Sequence, residues 1–326
     1  MAPEHGGRVR AAARRYGIPA SAWLDLSTGI NPDAWRVPPL PQDLWQSLPE
    51  TDDDLEDAAR SFYGTNFLLP VAGSQAAIQS LPALRKTGSV MLAGLCYAEH
   101  ELAWTRYGHS VIHVSDEELL QGDADVVVVV NPNNPTGKLY GVDELLDLHG
   151  RLVRKGGLLI VDEAFMDSTP EHSLARFCPM EGLVVLRSLG KFFGLAGARV
   201  GFVLASDNNL ERVSERLGPW PIATPSRHVA TLALCDTAWH GTARRFLREA
   251  SQRLDDLLSR HGLSPSGGSR FFQWVRCENA GDLHGHFATQ GILTRLYGEP
   301  ASLRFGLPSL EENWSRLDAA LCGMKR

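Results

Sequence analysis

The sequence is poor in cysteine, and the five it has are scattered: Cys96, Cys178, Cys235, Cys277 and Cys322 show neither zinc-module spacing nor a disulfide framework. No metal centre is expected, and a reducing cytoplasm is the simplest setting for such thiols. Long apolar runs are also missing. The amino terminus carries charges but no apolar core segment, which argues against a secretory leader, and no stretch approaches membrane-spanning length. Positive charge is not in excess. With 32 Lys and Arg against 38 Asp and Glu, the formal net charge is −6, so neither a nucleic-acid backbone nor an anionic membrane surface is an expected partner. Internal repeats and low-complexity tracts are lacking too. What is present is 326 residues, 44% hydrophobic and 21% charged, which fits a soluble globular enzyme larger than one typical domain.

Short apolar segments alternate with helical ones. Val90 to Leu92, Val111 to Val114, Val126 to Val130, Leu158 to Val161, Leu183 to Leu186 and Val200 to Leu204 read as strands, several of them continuous enough to be buried on both faces. Gln75 to Leu84 and Val142 to Lys155 read as helices between them. The pattern predicts an α/β fold, a mostly parallel sheet flanked by helices. After Pro219 the texture changes to a long helix over Arg227 to Ser259 and a smaller sheet from Arg270 to Arg276, Gly291 to Arg295 and Ser302 to Gly306. The expected organisation is an arm and part of a small α+β domain over 1–40, a large domain over 41–218 and the small carboxyl-terminal domain over 219–326. The Pro-rich stretch Pro38 to Pro49 is the expected crossing segment.

Three tracts carry chemistry in a fixed order: NPNNPTG from Asn131, VDEAF from Val161, and SLGKFFGLAGARVGF from Ser188. An aldehyde cofactor such as pyridoxal phosphate needs an amine to bind it, an acid to keep its pyridine nitrogen protonated and a cation for its phosphate. Lys191, Asp162 and Arg199 fit those tasks. Asp162 follows a buried apolar run and so falls at a strand's carboxyl end, where its charge favours a protonated ring. The fork of Arg199 suits phosphate oxygens. Gly73-Ser74-Gln75 opens a helix whose first amides point at an anion.

This stretch resembles the fold-type I pyridoxal phosphate enzymes of the class I/II aminotransferase superfamily. The resemblance implies that Tyr97 stacks on the cofactor ring, that Asn134 hydrogen-bonds its hydroxyl, that Ser188 lies near its phosphate beside Gly73, Ser74 and Gln75, and that the enzyme is a homodimer. Three positions depart from the family pattern: Phe165 replaces a tyrosine donor, Gly190 a serine before the lysine, and Leu48 a tyrosine that reaches the neighbouring subunit's phosphate. Arg304, in Ser-Leu-Arg-Phe-Gly, resembles the carboxylate-gripping arginine of the family. Arg295 matches a second arginine of the branch that takes phosphorylated amines.

The tracts Glu4-His5-Gly6-Gly7-Arg8 and Leu26 to Pro32 resemble, with essentially the whole chain, the threonine-phosphate decarboxylases of cobalamin synthesis. That resemblance implies that His5 and Asn31 close over the substrate phosphate, and that the reaction is decarboxylation of L-threonine O-3-phosphate to (R)-1-aminopropan-2-ol O-2-phosphate. The alternative is a histidinol-phosphate-type aminotransferase using the same pocket. A non-catalytic regulatory module of the same fold would need an attached DNA-binding segment, which is not visible, and would not need Lys191.

Overall fold

The computed structural model describes residues 5–324, so Glu4 of the amino-terminal tract lies outside the described residues. In chain order the strands are β1 (Leu24–Asp25), β2 (Leu68–Val71), β3 (Ser89–Ala93), β4 (Ser110–Val114), β5 (Val126–Val130), β6 (Leu158–Asp162), β7 (Leu183–Ser188), β8 (Gly201–Ala205), β9 (Gly267–Ser269), β10 (Phe272–Arg276), β11 (Ile292–Leu293), β12 (Arg295–Tyr297) and β13 (Ser302–Gly306). They serve two compact units. The larger comprises Ala34–Asn134 and Leu139–Thr242, and the smaller comprises the chain up to Asp33, Pro135–Lys138 and everything from Ala243. These units divide at 33 and 242, beside the domain bounds of 40 and 218 expected from the sequence.

In the large unit one seven-stranded sheet runs in the order β2-β8-β7-β6-β5-β3-β4. Strands β3 to β7 are mutually parallel, and only β8 runs against its neighbours β7 and β2. The all-valine β5 and the Leu-Leu-Ile-Val of β6 are buried on both faces, as a parallel sheet covered by helices requires. On one face Val126, Val128, Leu158, Ile160, Val184 and Leu186 pack with Ala77 and Ile78 of the helix Ser74–Ser80 and with Trp104. The helix Val142–Val153 supplies the β5-to-β6 crossover, its Leu145, Leu148 and Leu152 turned inward at helical spacing.

β4 is the sheet's outer strand, paired only with β3, and is not among those buried on both faces: Ile112 is 44% exposed. Two expectations are corrected. The single long helix is two, Thr224–Cys235 and Thr237–Arg260, since the Asp236 carboxylate accepts from the Trp239 amide at 3.0 Å and caps a new start. The strand from Gly291 to Arg295 divides into β11, which pairs with β1, and β12, which pairs with β13. Three strands carried no usable sequence signal: β1 has two residues, β2 contains Pro70 on the sheet's other edge, and β9 is Gly-Gly-Ser.

In the small unit β12-β13-β10-β9 form an antiparallel sheet. No helix among the described residues is long and apolar enough to cross a membrane.

Candidate active site

The carboxyl ends of β3, β5, β6 and β7 open on one side of the large sheet, the place where parallel α/β sheets collect ligands. A cavity of about 120 Å³ lies there, lined by Ser74, Gln75, Tyr97, Asn134, Asp162, Ser188, Lys191 and Arg199 together with Val130, Ala164, Phe165, Gly190 and Ala196. The sequence-predicted cofactor residues are therefore brought together, with Gly73 immediately behind Ser74.

Strand periodicity explains the layout. Asp162 and Ser188 are the last residues of β6 and β7 and face the cavity, so their neighbours Glu163 and Arg187 face the other way. Asp162 is 3% exposed; its Oδ1 accepts from the Ala164 amide at 3.1 Å and its Oδ2 lies 3.0 Å from His100 Nε2. Tyr97 donates to Gln75 Oε1 at 3.2 Å, and Gln75 Nε2 donates to Glu99 at 2.7 Å. Burial pushes the Tyr97 phenol upward, and the negative charges of Asp162 and Glu99 add to the shift, so the hydroxyl stays protonated.

At the opening of the helix Ser74–Ser80 the backbone and Arg199 crowd together. Gly73 has φ +72°, and a Cβ there would stand 2.8 Å from the Arg199 guanidinium. Arg199 itself has φ 54°, unusual for a residue with a side chain. At Gly201 a Cβ would stand 2.5 Å from the Ser74 nitrogen. Only glycines let these amides and the guanidinium converge.

Behind the site, Arg187 pairs with both Glu163 and Asp167, all three at most 2% exposed in their side chains. Ser173 and the Leu174 amide also donate to Glu163, at 2.5 and 2.7 Å. Burial raises the Glu163 carboxyl above its ordinary range, against the pull of Arg187. Sequence reading missed this cluster and missed His100. Its signal was weak but present: a histidine three positions after Tyr97, on a helix that buries one face.

The departures have physical readings. Phe165 lines the cavity with no polar atom, and the Lys191 ammonium lies 5.4 Å from its ring centroid. At Gly190 a Cβ would meet Ala196 Cα at 3.2 Å and Ser188 Oγ at 3.4 Å, so a serine has little room. Leu48 is 63% exposed.

The four substrate candidates all belong to the small unit. His5 and Arg295 line a cavity of about 440 Å³ together with Arg8, Arg15, Ser27, His284 and Thr294. Arg304 and Asn31 do not line it. Arg304 is buried and donates to the Ser27 carbonyl at 2.7 Å, and Asn31 Oδ1 accepts from the Asp33 amide at 3.0 Å. Arg295 stands opposite Arg304 in the β12–β13 register. Burial, and then the Arg295 charge, lower the Arg304 guanidinium from its usual value despite Tyr297 and Asp25. An anion beside this pair would relieve the repulsion.

Comparison with known proteins gives the same grouping. The aminotransferase class I and II family pattern matches residues 23–314. The chain is 53% identical over 324 residues to a threonine-phosphate decarboxylase of Pseudomonas aeruginosa, covering 99% of this chain and 98% of the relative. It is 40% identical over 328 residues to a threonine-phosphate decarboxylase of a Sinorhizobium species, covering 98% of each. In fold it is similar to the Sinorhizobium meliloti histidinol-phosphate aminotransferase solved in complex with pyridoxal-5′-phosphate, with TM-score 0.84, 19% identity and coverage of 98% and 94%.

Proposed function

This chain belongs to the class I and II aminotransferase family, and we propose that it decarboxylates L-threonine O-3-phosphate to (R)-1-aminopropan-2-ol O-2-phosphate with pyridoxal 5′-phosphate as cofactor. The observation that carries this reading is the convergence of Lys191, Asp162 and Arg199 on one cavity, in a chain so extensively similar to decarboxylases of that name. We place the reaction in cobalamin synthesis and in the cytoplasm, with all five cysteines free.

The residues present fit the cofactor. Lys191 would hold its aldehyde carbon, Asp162 its ring nitrogen and Asn134 its hydroxyl, with Tyr97 against the ring. Arg199, Ser188 and the amides that follow Gly73 would hold its phosphate; the close approach at Gly73 and Gly201 supports this cradle. When bound, pyridoxal phosphate supplies an electron-accepting ring for bond breaking at the substrate α-carbon. The protein orients and moves protons. His100 fixes the Asp162 carboxylate by occupying one oxygen, leaving its charge aimed along the cavity. Apolar Phe165 keeps water from the Lys191 side, and the Lys191 amine is the group placed to return a proton to the α-carbon. Arg304 would hold the substrate carboxylate, and His5, Asn31 and Arg295 its phosphate.

The working form we propose is a two-fold homodimer. Trp45 and Leu48, 62% and 63% exposed, support an interface near the Pro-rich stretch. Sedimentation at assay concentration tests it, and a fully active monomer would defeat it.

The deciding experiment supplies L-threonine O-3-phosphate without any keto acid and measures carbon dioxide and the amine product. Histidinol phosphate with a keto acid is run in parallel. Turnover of the second and not the first would reject the decarboxylase reading. His5→Ala and Arg295→Ala should weaken phosphothreonine relative to threonine, by about 1.5–3 kcal/mol per charged hydrogen bond lost. Arg304→Ala should harm both. An unchanged preference in the first two variants would remove the proposed phosphate site.

A further inference from the structure

A second group of metal-ligating side chains lies in the small unit, outside the cavity lined by His5 and Arg295. His261 immediately follows the helix Thr237–Arg260. Asp318 and Cys322 sit four positions apart on the helix Glu311–Cys322, and that spacing puts both on one face. His261 Nε2 lies 2.7 Å from Asp318 Oδ1, and one ligand atom from each of the three residues lies within 4.8 Å of the others.

We propose that His261, Asp318 and Cys322 form a binding site for a divalent transition-metal ion, zinc first among them. The donor set points to that class. Calcium and magnesium take oxygen ligands, whereas a thiolate beside an imidazole selects a softer ion. The geometry is within reach. Zinc bonds of about 2.0–2.3 Å in a tetrahedron set donor atoms roughly 3.3–3.8 Å apart. The His261–Asp318 pair must open somewhat and Cys322 must close, shifts of about 1 Å that side-chain rotation supplies.

Electrostatics favour the same ion. The Cys322 thiol gives its proton to solvent as the metal–sulfur bond forms, so that thiolate and Asp318 carboxylate together balance a double positive charge. Cys322 is also the last residue of its helix, where the helix dipole presents its negative end. Three protein ligands leave the fourth position to water. Bound there, the ion ties the end of one helix to the last turn of another across 57 positions of sequence.

The test uses the full-length holoenzyme dialysed against zinc chloride, with metal content measured by mass spectrometry. Uptake of about one zinc per chain is expected. Cys322→Ser and His261→Gln should each weaken it about tenfold or more, while Cys235→Ser, at another exposed cysteine, should leave it unchanged. Zinc should also slow alkylation of Cys322 by iodoacetamide in the parent and not in His261→Gln. No uptake at tens of micromolar zinc, uptake that both site variants retain, or alkylation indifferent to zinc would overturn the site.

Discussion

Replacing Arg187 by methionine tests whether the buried charge cluster behind the cavity holds the site in place. Methionine fills much of the arginine's volume, so the main loss is charge, with Glu163 and Asp167 left where water does not reach. Breaking a buried pair in this way costs about 3–5 kcal/mol. Glu163 keeps its bonds from Ser173 and the Leu174 amide, which limits the loss toward the lower figure. The pH dependence gives a second signature. Without the guanidinium, the Glu163 carboxyl, already raised by burial, should take up a proton more readily still in the folded protein than in the unfolded chain. An acid raised in this sense costs nothing below its unfolded pKa, and its cost grows by up to about 1.4 kcal/mol per pH unit above it. The Arg187→Met deficit should therefore be small near pH 5 and larger at pH 8. The assay is guanidinium unfolding followed by tryptophan fluorescence at both values. Adding Glu163→Gln and Asp167→Asn should restore most of the stability. A deficit under about 1 kcal/mol at pH 8, or one that ignores pH, would refute the reasoning.

Borohydride treatment of the cofactor-loaded protein should fix a label on Lys191, and Lys191→Ala should lose both label and activity; a label on another lysine would move the assignment. Gly201→Ala drives a methyl against the Ser74 nitrogen, an overpacking of about 1–3 kcal/mol, and equilibrium dialysis should show cofactor lost at least several-fold more readily. His100→Leu removes the partner of Asp162 Oδ2, so kcat should fall with little change in KM; equal kcat would mean that Asp162 needs no such support.

The large unit was legible in the sequence because its strands are continuous apolar runs whose length and β-branching leave little ambiguity. The cavity was legible because its residues sit at the ends of those runs, where a strand–loop–helix order fixes their side of the sheet. What escaped reading depended on partners remote in sequence. His100 is defined by Asp162, and Arg187 by Glu163 and Asp167, none of which its own neighbours announce. Edge strands escaped for another reason: β2 with Pro70 and β9 with two glycines are strands only because a neighbour pairs with them. The exposed face of β4 shows the converse, since apolar composition does not reveal which strand stands last.

The pairing of β1 with β11 bears on how the protein is made. Leu24 meets Ile292 and Asp25 meets Leu293, so β1 leaves the ribosome roughly 270 residues ahead of its mate. All seven strands of the large sheet emerge earlier, by Ala205. Synthesis from the amino end thus completes one sheet while the opening segment still lacks its counterpart, a non-local closure of the kind that slows folding and leaves surface open to misassembly. Chains arrested before β11 should keep protease resistance in the large unit and lose it around β1, Leu24–Asp25.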